Sequence, residues 1–217
     1  PRSPQVLDFN FMGKNYIIIN NHFKCCGDGI LNTNNTNDEE NRRLQAVTYL
    51  KQYIDNTLLG KRVVLLGDLN DELIDNTTNN VFQDFINDNV NYLFADMLIA
   101  QGNSIDWSYP SWPSHLDHIL ITDELFADFQ NFNSLVSVIR IDDYMGTWGN
   151  YENNVSDHRP IGLKLDFGTV SHIVETKDLK KNQPRLLAVD HEVVVPVNKV
   201  VKVLITANDV LHAWALP

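Results

Sequence analysis

The stretch RVVLLGDLND, residues 62–71, joins a short aliphatic run to a glycine that is followed by two aspartates and an asparagine. An apolar, β-branched run of this length predicts a buried strand, and the polar residues after it predict a turn at the end of that strand. NYIIIN, residues 15–20, predicts a second buried strand of the same kind. The two stretches therefore place polar residues where two strands end.

The residues between these strands predict a helix. Residues 32–38, rich in Asn and Thr, predict a solvated loop that ends at a helix N-cap, and residues 38–58 carry acids in their first turn. Apolar residues recur at helical spacing at Leu44, Val47, Leu50 and Ile54. The result is a strand, helix, strand unit. Further strands of one twisted sheet are predicted at 118–122, 135–141 and 160–165.

Polar residues of the kinds that bind metal ions and phosphate groups lie at the predicted strand ends. They are His22, Asp68, Asn70, Asp117, Asp157 and His158. Strand ends on one edge of a sheet lie close together, so we expect these side chains to cluster. Oxygen ligands bind hard divalent cations, and histidine or amide donors stabilise charge on phosphorus. The pattern favours hydrolysis of a phosphate ester.

Each motif alone also has a structural interpretation. Gly-Asp-x-Asn is good turn chemistry, so Asp68 and Asn70 are compatible with a simple turn. Asp157 and His158 precede a proline and are compatible with a surface loop.

Other polar and aromatic residues are better explained by packing. His115 and His118 are expected to pack in a strand or loop rather than bind a ligand. The aromatic residues of 107–112 are expected to cover the sheet edge rather than contact a substrate. Arg42 and Arg43 are expected on a solvated or sheet-packing helix face.

Four motifs together resemble the endonuclease/exonuclease/phosphatase superfamily, which includes DNase I. They are NNHFK (20–24), GDLND (67–71), LDHIL (116–120) and SDHRP (156–160). The likeness covers about residues 10–166. It implies an α/β (α+β) domain, built as part of a DNase I-like β-sandwich with flanking helices.

The resemblance implies a role for each matching residue. His158 would be the catalytic histidine that hydrogen-bonds the scissile phosphate, and Asp117 would pair with it and fix its orientation. Asp68 would orient or deprotonate the attacking water, and Asn70 would hold a phosphate oxygen. His22 would be the second histidine of the DNase I-like branch.

The resemblance also implies a divalent cation, Mg²⁺ or in its place Mn²⁺ or Ca²⁺, with Asp157 as a ligand. Superfamily members carry a metal-binding Glu on an earlier strand. Here only 21 residues precede His22, and the first Glu is Glu39. We therefore expect weak metal binding and impaired activity.

The composition changes near Gly168. Residues 1–167 contain 9 Val and 23 Asn, whereas residues 168–217 contain 11 Val and 3 Asn. The segment 184–217 resembles the start of the soluble copper domain of cytochrome c oxidase subunit II. We therefore expect two partial domains, 1–167 and 168–217, the second a short all-β, cupredoxin-like fragment. Its His212 matches one copper ligand of that family, but the others lie downstream there, so we expect no bound copper.

Charge and composition narrow the function. A net charge of −11 argues against general nucleic-acid binding through a basic surface, and no apolar run has the length of a transmembrane helix. The favoured function is a metal-dependent phosphoesterase or nuclease-like hydrolase acting on phosphodiester or phosphomonoester bonds. Its substrate would be a nucleic acid, a phospholipid headgroup or a sugar phosphate.

Two other functions stay open. One is a catalytically inactive remnant or binding module of the same fold, and the other is a copper electron-transfer fragment. The Val-rich C-terminal strands are further expected to associate with other chains through their exposed edges.

Overall fold

The computed structural model describes residues 3–167. The chain divides into two units, Pro1–Gly168 and Thr169–Pro217, and everything below concerns the first. The expected cupredoxin-like segment 168–217, including His212 and the strands expected to associate, lies outside the described residues.

The first unit contains seven strands and five α-helices within the described residues. The strands are β1 (Gln5–Phe11), β2 (Lys14–Asn20), β3 (Arg62–Asp68), β4 (Tyr92–Phe94), β5 (Asp117–Thr122), β6 (Leu135–Val138) and β7 (Ile161–Lys164). The helices are α1 (Glu39–Thr57), α2 (Gln83–Asn87), α3 (Met97–Ala100), α4 (Phe126–Gln130) and α5 (Trp148–Asn154). None of the helices in this part of the chain is long and apolar enough to cross a membrane.

Five strands form one sheet in the order β1-β2-β3-β5-β4. β2 and β3 are parallel and are joined through α1, as the strand, helix, strand prediction requires. β5 runs antiparallel to both β3 and β4. The ends of β2 and β3 and the start of β5 consequently lie at the same edge of the sheet.

Helix α1 begins where its sequence predicts. The side chain of Asp38 caps the helix by accepting a hydrogen bond from the Asn41 backbone N–H at 2.8 Å. Glu39 and Glu40 add negative charge to the first turn, which the helix dipole favours.

The five-stranded sheet is covered on both faces. Alternate residues of β3 point to opposite sides: Val63 and Leu65 pack in the core with α1, and Val64 and Leu66 pack against the other cluster. That second cluster includes Val136 of β6 and Leu163 of β7. The predicted mixed α/β class is confirmed.

The prediction that residues 135–141 and 160–165 belong to the same sheet as 118–122 was wrong. β6 and β7 pair only with each other, antiparallel, and form a separate two-stranded sheet. The strand predicted at 135–141 ends at Val138, and a 3₁₀ turn begins at Ile141. Pairing partners depend on contacts distant in sequence, so the local apolar pattern could not identify them.

Candidate active site

The edge where β2, β3 and β5 meet brings together four of the six predicted site residues. Asp68 at the end of β3 and Asp117 at the start of β5 are direct partners across the two strands. His22 follows β2, and His158 precedes β7. Ligand atoms of Asp68, Asp117 and His158 lie within 4.8 Å of one another.

Gly67 allows the two parallel strands to approach at this edge. Its φ is +139°, and a Cβ at this position would lie 1.9 Å from the carbonyl oxygen of Asn21. Only glycine fits such a conformation and contact. Beyond it, the Phe23 N–H donates to the carbonyl oxygen of Asp68 at 2.9 Å, which ties the two strand ends together.

His158 and Asp117 form a hydrogen-bonded pair at the centre of the site. Nδ1 of His158 donates to Oδ2 of Asp117 at 2.6 Å, and the His158 side chain keeps 20% of its surface exposed. Burial lowers the pKa of His158, but the Asp117 hydrogen bond and the charges of Asp117, Asp68 and Asp157 outweigh burial and raise it overall. The Tyr109 ring packs beside the imidazole with centroids 4.8 Å apart.

Asp68 lies between the two histidines. Its Oδ2 is 3.4 Å from Nε2 of His22 and 3.9 Å from Nε2 of His158, and its Oδ1 accepts from the Asn70 backbone N–H at 3.1 Å. Burial, followed by the charge of Asp117, raises the pKa of Asp68 against the opposing effect of both histidines. Nε2 of His158 is beyond hydrogen-bond distance of Asp68 and keeps its bonding capacity.

Asn70 holds an unusual backbone conformation, with φ +56°. Its side-chain Nδ2 is buried and has no hydrogen-bond partner. A buried amide donor without a partner costs free energy, which distinguishes this group from the other amides of the loop.

The predicted metal ligand Asp157 is exposed beside His158. Its charge contributes to the raised pKa of His158, although it is not a member of the three-residue cluster of Asp68, Asp117 and His158. Carboxylate oxygens are the donors that Mg²⁺, Mn²⁺ and Ca²⁺ prefer. The donor atoms of Asp68, Asp117 and His158 are close enough together to hold a cation, and Asp157 is outside that group.

His115 and His118 belong to a second Asp-His cluster, which is buried. Nδ1 of His118 and Nε2 of His115 contact Oδ2 of Asp96 at 2.7 and 3.1 Å. Nε2 of His118 donates to the backbone oxygen of Asp71 at 2.8 Å. Both histidines are buried, as expected, and their buried partner Asp96 was not predicted.

Ser108 and Arg159 hold the loops of the site in place, and neither was predicted from the sequence. Ser108 is buried, and its Oγ accepts from the backbone N–H groups of Leu116 and Asp117, both at 3.2 Å. Its carbonyl oxygen accepts from the Arg159 N–H at 2.7 Å. Arg159 is buried against Asp142, with N–O distances of 3.1 and 2.6 Å. Arg159 lies inside the SDHRP motif, whereas nothing local distinguishes Ser108.

The aromatic loop 107–112 does not act as a uniform cover. Trp107 donates its ring N–H to the carbonyl oxygen of Ile99 at 3.1 Å, which fits the structural interpretation. Tyr109 instead contacts His158, and Trp112 is 77% exposed.

Arg42 and Arg43 differ as well. Arg42 is exposed, whereas Arg43 is buried and binds Asp71 within the GDLND motif at 2.8 Å. The arginine therefore connects α1 to the loop that carries Asp68 and Asn70.

Solved structures with similar folds cover about three quarters of the chain. The humanised TDP2 of D. rerio with 14 mutations is 12% identical, over 74% of this chain and 59% of that chain, with a TM-score of 0.47. The human Nocturnin catalytic domain with bound sulfate is 18% identical, over 74% and 52%, with a TM-score of 0.44. An endonuclease/exonuclease/phosphatase family protein from Leptotrichia buccalis is 16% identical, over 75% and 53%, with a TM-score of 0.45.

The C-terminal third of the chain is similar to a different family. Residues 144–217 match the family described as cytochrome C oxidase subunit II, periplasmic domain. Cytochrome c oxidase subunit 2 of Lycodon semicarinatus is 46% identical over 56 residues, which are 26% of this chain and 24% of that protein. The chain thus spans about a quarter of this curated relative.

The likeness that the segment 184–217 indicated to cytochrome c oxidase subunit II recurs in the family match and in this relative. The family match begins at residue 144, ahead of the composition change near Gly168, and so overlaps the SDHRP motif. The division at 167/168 stays a prediction.

Proposed function

We propose that the first part of the chain is a metal-dependent phosphoesterase that hydrolyses phosphodiester or phosphomonoester bonds. The observation that supports it best is the Asp117–His158 pair, whose outer ring nitrogen faces the Asp68 carboxylate without bonding to it. A hydrogen-bonded Asp-His pair with one unused nitrogen is an arrangement that can donate to a substrate oxygen.

His158 and Asp117 act together in this proposal. Asp117 accepts from Nδ1, which fixes the ring and leaves Nε2–H to donate to a phosphate oxygen. The neighbouring carboxylates raise the pKa of His158, so the ring keeps its proton more readily and stabilises charge that develops on the phosphate.

Asp68 receives the proton of the attacking water. Its raised pKa makes it a stronger base than an exposed aspartate. Nε2 of His22 lies 3.4 Å from Oδ2 of this carboxylate. The unpartnered Nδ2 of Asn70 donates to a second phosphate oxygen.

Asp157 would be the carboxylate ligand of the divalent cation, which leaves Asp68 to act on the water. When bound, the cation neutralises phosphate charge and lowers the pKa of a coordinated water. Among residues 3–167 no glutamate joins the cluster of Asp68, Asp117 and His158. We therefore propose weak cation binding, with turnover that is slow and rises with millimolar metal.

The net charge disfavours one class of substrate but does not identify the substrate. The net charge of −11 disfavours tight, non-specific binding to long nucleic acids. A small phosphate ester or a short single strand is therefore the first substrate to test.

The test is hydrolysis of a substrate panel by the whole chain, with Mg²⁺, Mn²⁺ or excess chelator. The panel contains bis-p-nitrophenyl phosphate, p-nitrophenyl phosphate, a short single-stranded DNA, an RNA, a phospholipid headgroup ester and a sugar phosphate. Metal-dependent turnover that is lost in His158→Ala and Asp68→Asn supports the proposal. Asp84→Asn, an exposed carboxylate on α2, serves as the control and should keep full activity.

Two results would contradict the proposal. One is turnover that survives both substitutions, which would place the chemistry elsewhere. The other is the absence of turnover together with saturable binding of Mn²⁺ and inorganic phosphate, which would identify a binding module of this fold.

A further inference from the structure

Two adjacent cysteines follow β2 at the edge that carries the candidate active site. Cys25 and Cys26 are both exposed and are not joined by a disulfide. The Cys26 thiol donates to Sγ of Cys25 with the sulfurs 2.9 Å apart. Cys26 has φ +71°, a left-handed conformation that a residue with a side chain adopts at a cost. The loop thus holds the two sulfur atoms against each other.

The surroundings give the two thiols different roles. Nζ of Lys24 lies 4.0 Å from Sγ of Cys25, and the Cys26 thiol donates to the same sulfur. A nearby cation and a donor both stabilise a thiolate. The hydrogen bond to Cys25, and then its charge, raise the pKa of Cys26, so that thiol keeps its proton longer. Lys24 is shared with the carbonyl oxygen of Cys25 at 2.9 Å and with Glu39 at 3.6 Å, so the distinction between the two thiols rests mainly on their mutual hydrogen bond.

A buried arginine anchors this loop to the candidate active site. Nη1 of Arg43 donates to the carbonyl oxygens of Lys24 at 2.8 Å and of Cys26 at 2.7 Å, so it holds the backbone on either side of Cys25. Nε of the same side chain donates to Asp71 at 2.8 Å, next to Asn70. Any twist of the peptide between the two cysteines pulls on these bonds.

We propose that Cys25 and Cys26 form a thiol-disulfide exchange site that small-molecule disulfides oxidise to a disulfide between adjacent residues. The Cys25 thiolate attacks one sulfur of an oxidant RSSR, forms a mixed disulfide and releases RS⁻, which takes up a proton. Cys26 then loses its proton and attacks Sγ of Cys25, which releases the second RSH. The two cysteines lose two hydrogens, and one RSSR is reduced to two RSH.

The bridge is strained and therefore easily reversed. Cα atoms of adjacent residues are about 3.8 Å apart across a trans peptide, whereas disulfides usually join Cα atoms about 4.4–6.8 Å apart. The closed ring contains no intervening residue, so it restricts the unfolded chain very little. Strain then dominates, and closing the ring weakens the bonds from Arg43 to Lys24 and Cys26. Oxidation is expected to lower the stability of the first part of the chain.

The test incubates the whole chain with oxidised and reduced glutathione at varied ratios, then traps thiols with acid and alkylation. Intact mass should show the loss of two hydrogens without bound glutathione. The oxidised fraction of the protein should fall as the share of reduced glutathione rises. Cys26→Ser should instead accumulate one bound glutathione on Cys25. Thermal unfolding should show the oxidised protein melting about 2–4 °C below the reduced protein, and Cys25→Ser/Cys26→Ser should not respond.

None of these readouts uses phosphoesterase activity, so the outcome is independent of the proposed function. Two glutathiones per chain, or no oxidation while the urea-unfolded chain reacts, would overturn the exchange site. An equal melting temperature for the two redox forms would overturn the coupling to Arg43.

Discussion

Two Asp-His clusters stand side by side in this molecule, and they use the same residue types in opposite ways. Asp117 and His118 are consecutive residues of β5 and point to opposite faces of the sheet. Asp117 pairs with the partly exposed His158, whereas His118 pairs with the fully buried Asp96. One residue along a strand thus separates a site open to a ligand from a sealed one.

The sealed cluster, formed by Asp96, His115 and His118, has a hydrogen-bond partner at every ring nitrogen and carboxylate oxygen. Both ring nitrogens of His118 face oxygen acceptors, Asp96 and the carbonyl of Asp71, and this arrangement favours donation from both nitrogens, as in an imidazolium. Asp96 also accepts from His115 and from the Ile119 N–H at 2.8 Å. Nδ1 of His115 accepts from the Ser108 N–H at 3.3 Å. In that protonation state the cluster is an internal ion pair that supports the strands around it.

The open cluster, formed by Asp68, Asp117 and His158, lies beside a hydrogen-bond donor that has no partner. Nε2 of His158 is 3.9 Å from Asp68, and Nδ2 of Asn70 has no partner. Residue type alone does not distinguish an Asp-His pair that is able to bind a ligand from one that is fully hydrogen-bonded within the protein. Exposure and unsatisfied donors do, because a ligand can only bind where bonding capacity remains.

The largest expected effect is on stability, at Asp96. Asp96→Asn removes the counter-charge of a buried imidazolium and brings an amide donor to two ring donors. We expect a loss of about 3–5 kcal/mol in the free energy of unfolding, measured by urea denaturation. Asp117→Asn is the matched control and should cost about 1 kcal/mol, because water reaches that site. Equal losses in the two variants would show that the clusters do not differ in kind.

The next expected effect is on turnover, not on stability, and it depends on the proposed function. Asp117→Asn should lower metal-dependent turnover by roughly 10²- to 10⁴-fold, because His158 loses the acceptor that fixes its ring. The unfolding curve should shift only by the loss of about 1 kcal/mol expected for this variant. The Michaelis constant should change less than the turnover number. A variant with normal turnover would remove Asp117 from the proposed mechanism.

Part of this contrast can be predicted from the sequence. GDLND, LDHIL and SDHRP lie next to apolar strands, and β-strand alternation already separates Asp117 from His118. The partners of His118 cannot be predicted in this way, since Asp96 is 22 residues away and is brought in by the pairing of β4 with β5. The separate β6–β7 sheet escaped prediction for the same reason.

Ser108 connects the two clusters and should give a smaller effect. Its N–H donates to His115 of the sealed cluster, and its Oγ accepts from the N–H of Asp117 in the open one. Ser108→Ala leaves the N–H groups of Leu116 and Asp117 without their acceptor. We expect a loss of about 1–3 kcal/mol in the free energy of unfolding, together with a fall in any turnover. Ser108→Thr keeps the hydroxyl and should recover part of both, whereas an unchanged Ser108→Ala would show that the two clusters are independent.

The smallest expected effect is the pH dependence of the sealed pair. Burial lowers the pKa of His118, but the charge of Asp96 and the bonds to Asp96 and Asp71 raise it above 6.5 overall. Its stabilisation is therefore complete below pH 6.5 and is lost as pH rises through the folded pKa, at about 1.4 kcal/mol for each unit of the difference. Burial raises the pKa of Asp96, but the charge and hydrogen bonds of the two histidines outweigh it and hold it below 3.8, so its stabilisation is lost only as the solution becomes strongly acidic.

The measurement is the free energy of unfolding between pH 6.5 and 9. Burial raises the pKa of Asp71 to about 6, so that carboxyl loses its last protons just above pH 6.5 and adds a slope of the same sign there; the slope above about pH 7.5 is the one assigned to His118. The curves are recorded in His158→Gln, because His158 also has a raised pKa and would add a slope of the same sign. Stability should fall as pH rises, and ¹⁵N spectra at pH 7 should show both ring N–H protons of His118. A single ring proton at pH 6, or stability that rises from pH 6.5 to 9, would mean that His118 is neutral and that the sealed cluster is not an ion pair.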